Sequence, residues 1–406
     1  MANTFKFGNG NWAVKEDYAL AYNDENGNFK PLPFDFTRAS TATRVNKDGL
    51  IENVPSGKPR IDFTDNTSGH LLLEPSRTNM LQDSEDFTNS TYWLLSSMTV
   101  TSNNTTSPYG TQTADKIEAT GAGSIRTQPA YTVTNGYSLS IFVKKGNSRY
   151  VTLRSFAFTT SAIIGFDLDN ETAQTGGVIE KYPNDWYRLS ISKDVSSDAD
   201  KNGYFYIYLP NSLGSTTTVS GNYAYFFGAQ LEDATYPTSY IPTEGSSVTR
   251  SAETANGAGN SSIFNDSEGV LFAEISALAN DGTFRFITIN DGNYTDRVAI
   301  AYTGSNNQLR GQVTVGGSDI YIKLQSITDA TEFIKIAVKY KASDFAIWIN
   351  GVEYQTQSSG SVFPSGTLDN LSFDNGSGGS DFYGKVKDLR VYDTALSDSE
   401  LQALTS

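Results

Sequence analysis

The chain has no cysteine among its 406 residues, a single histidine, and no apolar run long enough to cross a bilayer. The first absence removes disulfides, thiol nucleophiles and thiolate zinc sites together. The second leaves His70 as the only imidazole. A Ser-His-Asp site would have to be built on it in a turn-rich stretch, and a structural histidine is the expected reading. The third excludes a membrane-spanning helix, and the opening MANTFKFGNG has no charged region followed by an apolar core, so a cytoplasmic product without a signal peptide is expected. Charge is also sparse. Only 18% of residues are charged, the formal net charge is -15, and residues 251–406 carry 10 basic against 19 acidic side chains. No basic stripe is available to neutralise phosphates, which excludes nucleic acid and anionic lipid as partners.

What is present favours short strands and turns: 35 Gly, 23 Tyr, 23 Phe and abundant Thr, Ser and Asn, with 38% hydrophobic residues to build cores. The expected fold class is all-β, with two antiparallel β-sandwich (jelly-roll) domains after an extended N-terminal module and a short C-terminal helix. Residues 1–80 are punctuated by Gly8, Gly10, Gly27, Pro31, Pro33, Gly49, Pro55, Gly57 and Pro59. Such a module buries little by itself and is expected to fold against another chain. Residues 81–250 carry alternating segments such as YSLSIFVK and YFYIY. In the latter, Tyr204, Tyr206 and Tyr208 share one face of a strand while Phe205 and Ile207 share the other. Residues 251–262 are small and polar and read as a linker. Residues 263–406 read as the second sandwich. There Asn350-Gly351 between apolar strands predicts a type I′ hairpin, and Ser397 with Glu400, flanked by Leu396 and Leu401, predicts a capped helix.

Several motifs resemble known families. GAQLE, TSYIPT and VTR, in that order between Phe226 and Arg250, together with SRTNMLQDSEDF from Ser76 and Trp186-Tyr187-Arg188, resemble a domain of bacteriophage head spikes and tail fibres. FKFGNGNWAVKEDYALAY and FDFTRASTATRVNKDGLIE resemble the module that precedes it. The closing YGKVKDLRVYDTALSDSELQAL resembles the end of concanavalin A-like lectin and laminin G-like domains. The resemblance implies a virion-surface appendage. Residues 1–80 would attach it to other virion proteins, it would assemble as a homotrimer, and it would adhere to host-surface glycans. Passive structural decoration of the particle is the alternative, and a polysaccharide-cleaving enzyme a second.

Sugar recognition combines aromatic platforms with amides and acids. The candidate platform residues are Tyr131, Tyr204, Tyr206, Tyr208, Tyr294 and Tyr302, with Asn293 and Asn306 as amides. Trp186 and Trp348 sit in strongly apolar strands and are expected in the core. Arg38 and Arg44 are expected to pair with acids or carbonyls inside the N-terminal module. Glycosidases need two carboxylates across a sugar ring. The strand Leu271 to Ile275 offers only Glu274, so no catalytic residue is assigned. A structural calcium is the one cofactor expected, on loop carboxylates: Glu85 and Glu232 in the first sandwich, Asp291, Asp296, Asp374 and Asp381 in the second.

Overall fold

Period-two alternation of apolar side chains runs through nearly every segment, and the chain forms β-strands almost throughout. The computed structural model describes residues 5–10, 12, 14–15, 19–20, 34–64 and 66–406, so Gly27, Pro31 and Pro33 lie outside the described residues. The described chain divides into two units. A central unit comprises Ala42–Asn53 and Ser76–Arg250, and a terminal unit comprises Met1–Thr41, Val54–Pro75 and Ser251–Ser406.

In the central unit the strand Ala114–Thr127 serves two halves of one sheet. Its end pairs Ile125 and Arg126 with Ile207 and Tyr206, while its start pairs Asp115 to Glu118 with Phe226 to Tyr223. The sheet thereby wraps around a core that includes Leu139, Leu153, Phe166, Leu189, Phe205 and Phe226. The motifs that carry the phage resemblance meet in a buried polar knot beside it. Glu232 accepts the Thr238 amide at 2.9 Å and Gln230 Nε2 at 2.9 Å, Arg188 donates to the Thr238 carbonyl at 2.7 Å, and Arg250 reaches Thr238 Oγ1 at 3.1 Å. Their spacing is set by the need to satisfy buried polar groups where Pro237 and Pro242 force the chain off the sheet.

The terminal unit is a sandwich. One sheet runs from Val352–Gln357 through Phe345–Ile349, Ile334–Lys341, Glu268–Ala277, Gly384–Tyr392 and His70–Leu73 to Arg60–Asp62. The other runs Ser318–Ser326, Gln308–Val315, Arg297–Tyr302, Arg285–Asn290, Asn370–Ser372. Leu271, Ile287, Ile300, Val338, Ile347 and Leu389 pack in their shared core. The expected hairpin is present, with positive φ at Asn350 (47°) and Gly351 (79°). The expected helix spans Asp398–Thr405, and Glu400 accepts the Ser397 amide at 2.9 Å. Leu396, Leu401 and Trp348 share one cluster, and Trp186 is buried in the central unit.

Two boundaries need correction. The module expected over 1–80 is divided between the units. Phe5–Gly8 pairs with Gly384–Tyr392, and Phe5, Phe7, Phe34 and Phe36 are buried in the terminal core, while Val45 and Ile51 pack in the central unit. These turn-rich segments bury their apolar residues against later parts of their own chain. The stretch 251–262 is also no linker. Thr254–Asn256 pairs with Phe34–Thr37, and Ala255 and Ala258 are fully buried. Its small residues reflect close packing, not flexibility.

Glu253, in that same stretch, anchors a buried ion cluster. Arg38 donates to it at 2.7 Å and Arg60 Nε at 2.9 Å, and Arg60 also meets Glu74 at 2.8 Å. Burial pushes the Arg60 guanidinium down, but Glu253 and Glu74 outweigh this and hold it above its ordinary value. Arg38 therefore joins an acid far outside residues 1–80 to the carbonyls of Ser40, Val54, Pro55 and Lys58 inside it, and Arg44 pairs locally with Glu52 at 2.7 Å. His70 is buried, with Nδ1 3.3 Å from Asn66 Nδ2 and Asp62 at 3.7 Å.

Candidate functional site

The strand Asn202–Tyr208 turns Phe205 and Ile207 into the core and Tyr204 and Tyr206 to the opposite face. Register then decides what surrounds them. Arg154 and Phe156 stand opposite Tyr206 and Tyr204 on one neighbouring strand, and Arg126 stands opposite Tyr206 on the other. Leu94 pairs with Arg126, and Ile163 with Arg154. Directly paired residues share a face, so Ile163, Arg154, Tyr206, Arg126 and Leu94 form one row across five strands, spanning roughly 19 Å at ~4.8 Å per strand.

The row is built by stacking. Arg154 lies 4.6 Å from the Phe156 ring centroid and 5.8 Å from that of Tyr206, and Arg126 lies 4.5 Å from Tyr204. Tyr206 and Tyr208 stack at 5.9 Å with 8° between their planes, and Phe156 meets Tyr206 edge-on at 6.0 Å. Phe156 is 43% and Ile163 47% exposed. At Gly165, beside this patch, a Cβ would meet the Gly214 nitrogen at 2.1 Å, so the loop 209–218 lies against the sheet there and bounds the face on the Tyr208 side. Rings that offer flat apolar surface, flanked by guanidinium donors, can stack on sugar C–H faces and hydrogen-bond hydroxyl or acidic groups.

The other candidate residues fall elsewhere. Tyr208 shares the face and stacks on Tyr206 but lies one register position outside the row, opposite Thr152, and is buried. Tyr131 is core: burial pushes its phenol up to about 12, and its hydroxyl reaches Gln82 at 3.3 Å. Tyr302 is also core, its phenol raised by burial, because it shares strand parity with Val298 and Ile300. Both are corrected from platform to packing residues. Asn293 and Tyr294 sit in the loop before Arg297–Tyr302 and Asn306 in the loop after it, so one strand separates them. Asn293 is further occupied by Asp291 and Thr295.

The carboxylates expected to hold calcium do not assemble. Among the described residues no three Asp, Glu or His side chains are grouped to hold a metal ion. Glu232 spends its oxygens on Gln230 and Thr238. Asp291 accepts from Asn293 at 3.1 Å and Asp296 from the Gly316 amide at 2.9 Å. Asp374 and Asp381 lie on one loop, and burial raises both carboxyls. Glu85 lines an open hollow of about 850 Å³ with Asp83, Asp86 and Glu244. Burial raises its carboxyl, a 2.9 Å hydrogen bond from Tyr240 opposes this, and Asp83, Glu244 and Asp115 add to the rise.

Residues 252–402, in the terminal sandwich, match the family model described as the Concanavalin A-like lectin/glucanases superfamily. Similar solved structures include the CBM40 of Ruminococcus gnavus IT-sialidase bound to alpha2,3 sialyllactose, at 16% identity and TM-score 0.31, covering 37% of this chain and 94% of that one. Domain 4 of AbnA, an extracellular arabinanase from Geobacillus stearothermophilus in complex with arabinotriose, aligns at 14% identity and TM-score 0.31 over 38% of this chain and 73% of that one. A SAP-like pentraxin from Limulus polyphemus aligns at 14% identity and TM-score 0.27 over 34% and 70%. No curated protein matches the chain.

Proposed function

We propose that this chain is a bacteriophage virion appendage, a head fibre or spike or a tail-fibre component, that adheres to host-surface glycans through the face centred on Tyr206. The observation that carries the adhesive part is the half-buried Tyr206 flanked across strands by Arg154 and Arg126, with the exposed ring of Phe156 beside them, in a chain of net charge -15. The match over 252–402 supports glycan adhesion by the chain in general, since it lies in the terminal unit and not on the Tyr206 face. The virion part rests on the resemblance of the GAQLE, TSYIPT and VTR motifs. On this reading N-terminal residues contact other virion proteins and the chain assembles as a homotrimer. Several weak glycan contacts on one particle then act together, because linked sites turn later binding into an intramolecular event. No bond need be broken and no cofactor is required for this adhesion.

The test is adsorption of fluorescently labelled, folded protein to candidate host cells, with and without competing surface polysaccharide. Saturable adsorption removed by the polysaccharide is expected. A second reading, passive decoration, is favoured by one observation: the motifs behind the phage resemblance form a buried knot that does structural work and touches no ligand face. Absence of adsorption at micromolar concentration would select that reading.

A further inference from the structure

We infer that the glycan taken by the Tyr206 face is acidic, its carboxylates bound by Arg154 and Arg126. The inference rests on the adhesive reading and names its ligand class. Arg154 and Arg126 flank Tyr206 as direct cross-strand neighbours, so their backbones stand roughly 10 Å apart on one face at ~4.8 Å per strand. Arg154 has ring contacts alone. Among the described residues neither a hydrogen bond nor an ion pair engages it, although 45 Asp and Glu outnumber 30 Lys and Arg in the chain. Arg126 gives one N–H to the Thr127 carbonyl at 3.0 Å and has no carboxylate partner among the described residues.

The row and its nearest neighbours on the face, Phe156, Tyr204 and Thr152, contain no acid. A guanidinium stacked flat on an aromatic ring keeps its in-plane N–H groups directed away from that ring, and this planar fork matches a carboxylate two bonds at a time. Two such forks around a central phenol ring fit a saccharide whose ring stacks on Tyr206 while carboxylates along the polymer meet the cations on either side. Charge complementarity is what selects this occupant: a neutral glycan would leave both guanidiniums unmatched, as they are in the free protein.

The test measures binding of the full chain to polygalacturonate, alginate, hyaluronan and polysialic acid, with methyl-esterified polygalacturonate and dextran sulfate as controls. At least one carboxylated polymer is expected to bind, with at least tenfold weaker binding of the methyl ester where polygalacturonate is the ligand. Arg154→Gln and Arg126→Gln are each expected to weaken binding at least tenfold, and Arg154→Lys less, because charge is kept while the fork is lost. Added salt should weaken all of it. Equal binding of acid and ester would overturn the acidic assignment and leave adhesion standing. Binding to dextran sulfate alone would overturn the carboxylate assignment. Persistent cell adsorption with no carboxylated polymer bound would also overturn it, and loss of cell adsorption as well would remove the adhesive reading beneath it.

Discussion

Each unit carries a pair of arginines over aromatic rings on a sheet face, and the two pairs are finished differently. In the terminal unit Arg297 and Arg310 lie 5.2 and 5.7 Å from the Phe286 ring. Both turn donors onto neutral acceptors built for them: Arg310 reaches Gln312 Oε1 at 2.5 Å, and Arg297 reaches the Asn375 carbonyl at 2.6 Å and Gln312 at 3.4 Å. Burial lowers the proton affinity of both, Arg310 adds to the effect on Arg297, and Asp319 nearby opposes it. In the central unit Arg154 has, among the described residues, ring contacts alone. Arginine over an aromatic ring is therefore no binding signal by itself. The signal is a donor set that the fold leaves unclaimed.

The largest effect expected lies at the saturated extreme, where Arg38 and Arg60 share Glu253 out of contact with solvent. Glu253→Gln takes from two buried guanidiniums the carboxylate they share, while Glu74 stays beside Arg60. Removing one partner of a buried ion cluster costs about 3–5 kcal/mol, and for a unit of this size that lowers Tm by roughly 6–12 °C. Calorimetry checks it. An unchanged Tm would mean that these cations are not held by charge pairing, and the contrast with the open face would lose its structural pole.

Next in size is the glycan face itself. Tyr206→Ala removes the ring at the centre of the row and should weaken glycan binding by about tenfold or more, about 1.4 kcal/mol. Arg297→Gln and Arg310→Gln, whose terminal N–H groups already reach Asn375 and Gln312, should change it by less than about twofold on the same scale. Titration of the three variants with one glycan reads both arms. Equal losses from Arg297→Gln and Tyr206→Ala would break the distinction between claimed and unclaimed donors.

Much of the fold was legible because it rests on local rules. Alternation in YFYIY sorted Tyr206 from Phe205, Asn350-Gly351 announced its hairpin, and Ser397 with Glu400 announced the helix start. The face was only half legible. Its tyrosines could be read from one strand, but Arg154 and Phe156 arrive from a strand about fifty residues upstream and Arg126 from about eighty, and pairing register across such separations is fixed by the packed core, not by any local pattern. Tyr302 shows the reverse error, since its parity with Val298 and Ile300 already placed it inward. The stretch 251–262 misled for another reason. Alanine and glycine serve flexible linkers and tight packing equally well, and only the surroundings of Ala255 and Ala258 separate the two.

The smallest effect sharpens the comparison from the acidic side. The central unit leaves anionic charge uncompensated too, at Glu85, whose carboxyl is raised by burial beside Asp83, Glu244 and Asp115. A carboxyl raised in the folded state contributes stability that is fully present below its unfolded value and is lost as pH rises through its folded value. At neutral pH Glu85 is thus a mild liability. Glu85→Gln keeps an oxygen to accept from Tyr240, which donates to Glu85 at 2.9 Å, and removes the charge. It should raise Tm slightly at pH 7, with the gain shrinking as pH falls towards 4.5, the ordinary value for a glutamate. Thermal melts of both proteins across that range decide it. A gain that stayed constant with pH would assign the effect to packing, and a loss at pH 7 would mean that the carboxylate has a partner in solution which this uncompensated hollow lacks.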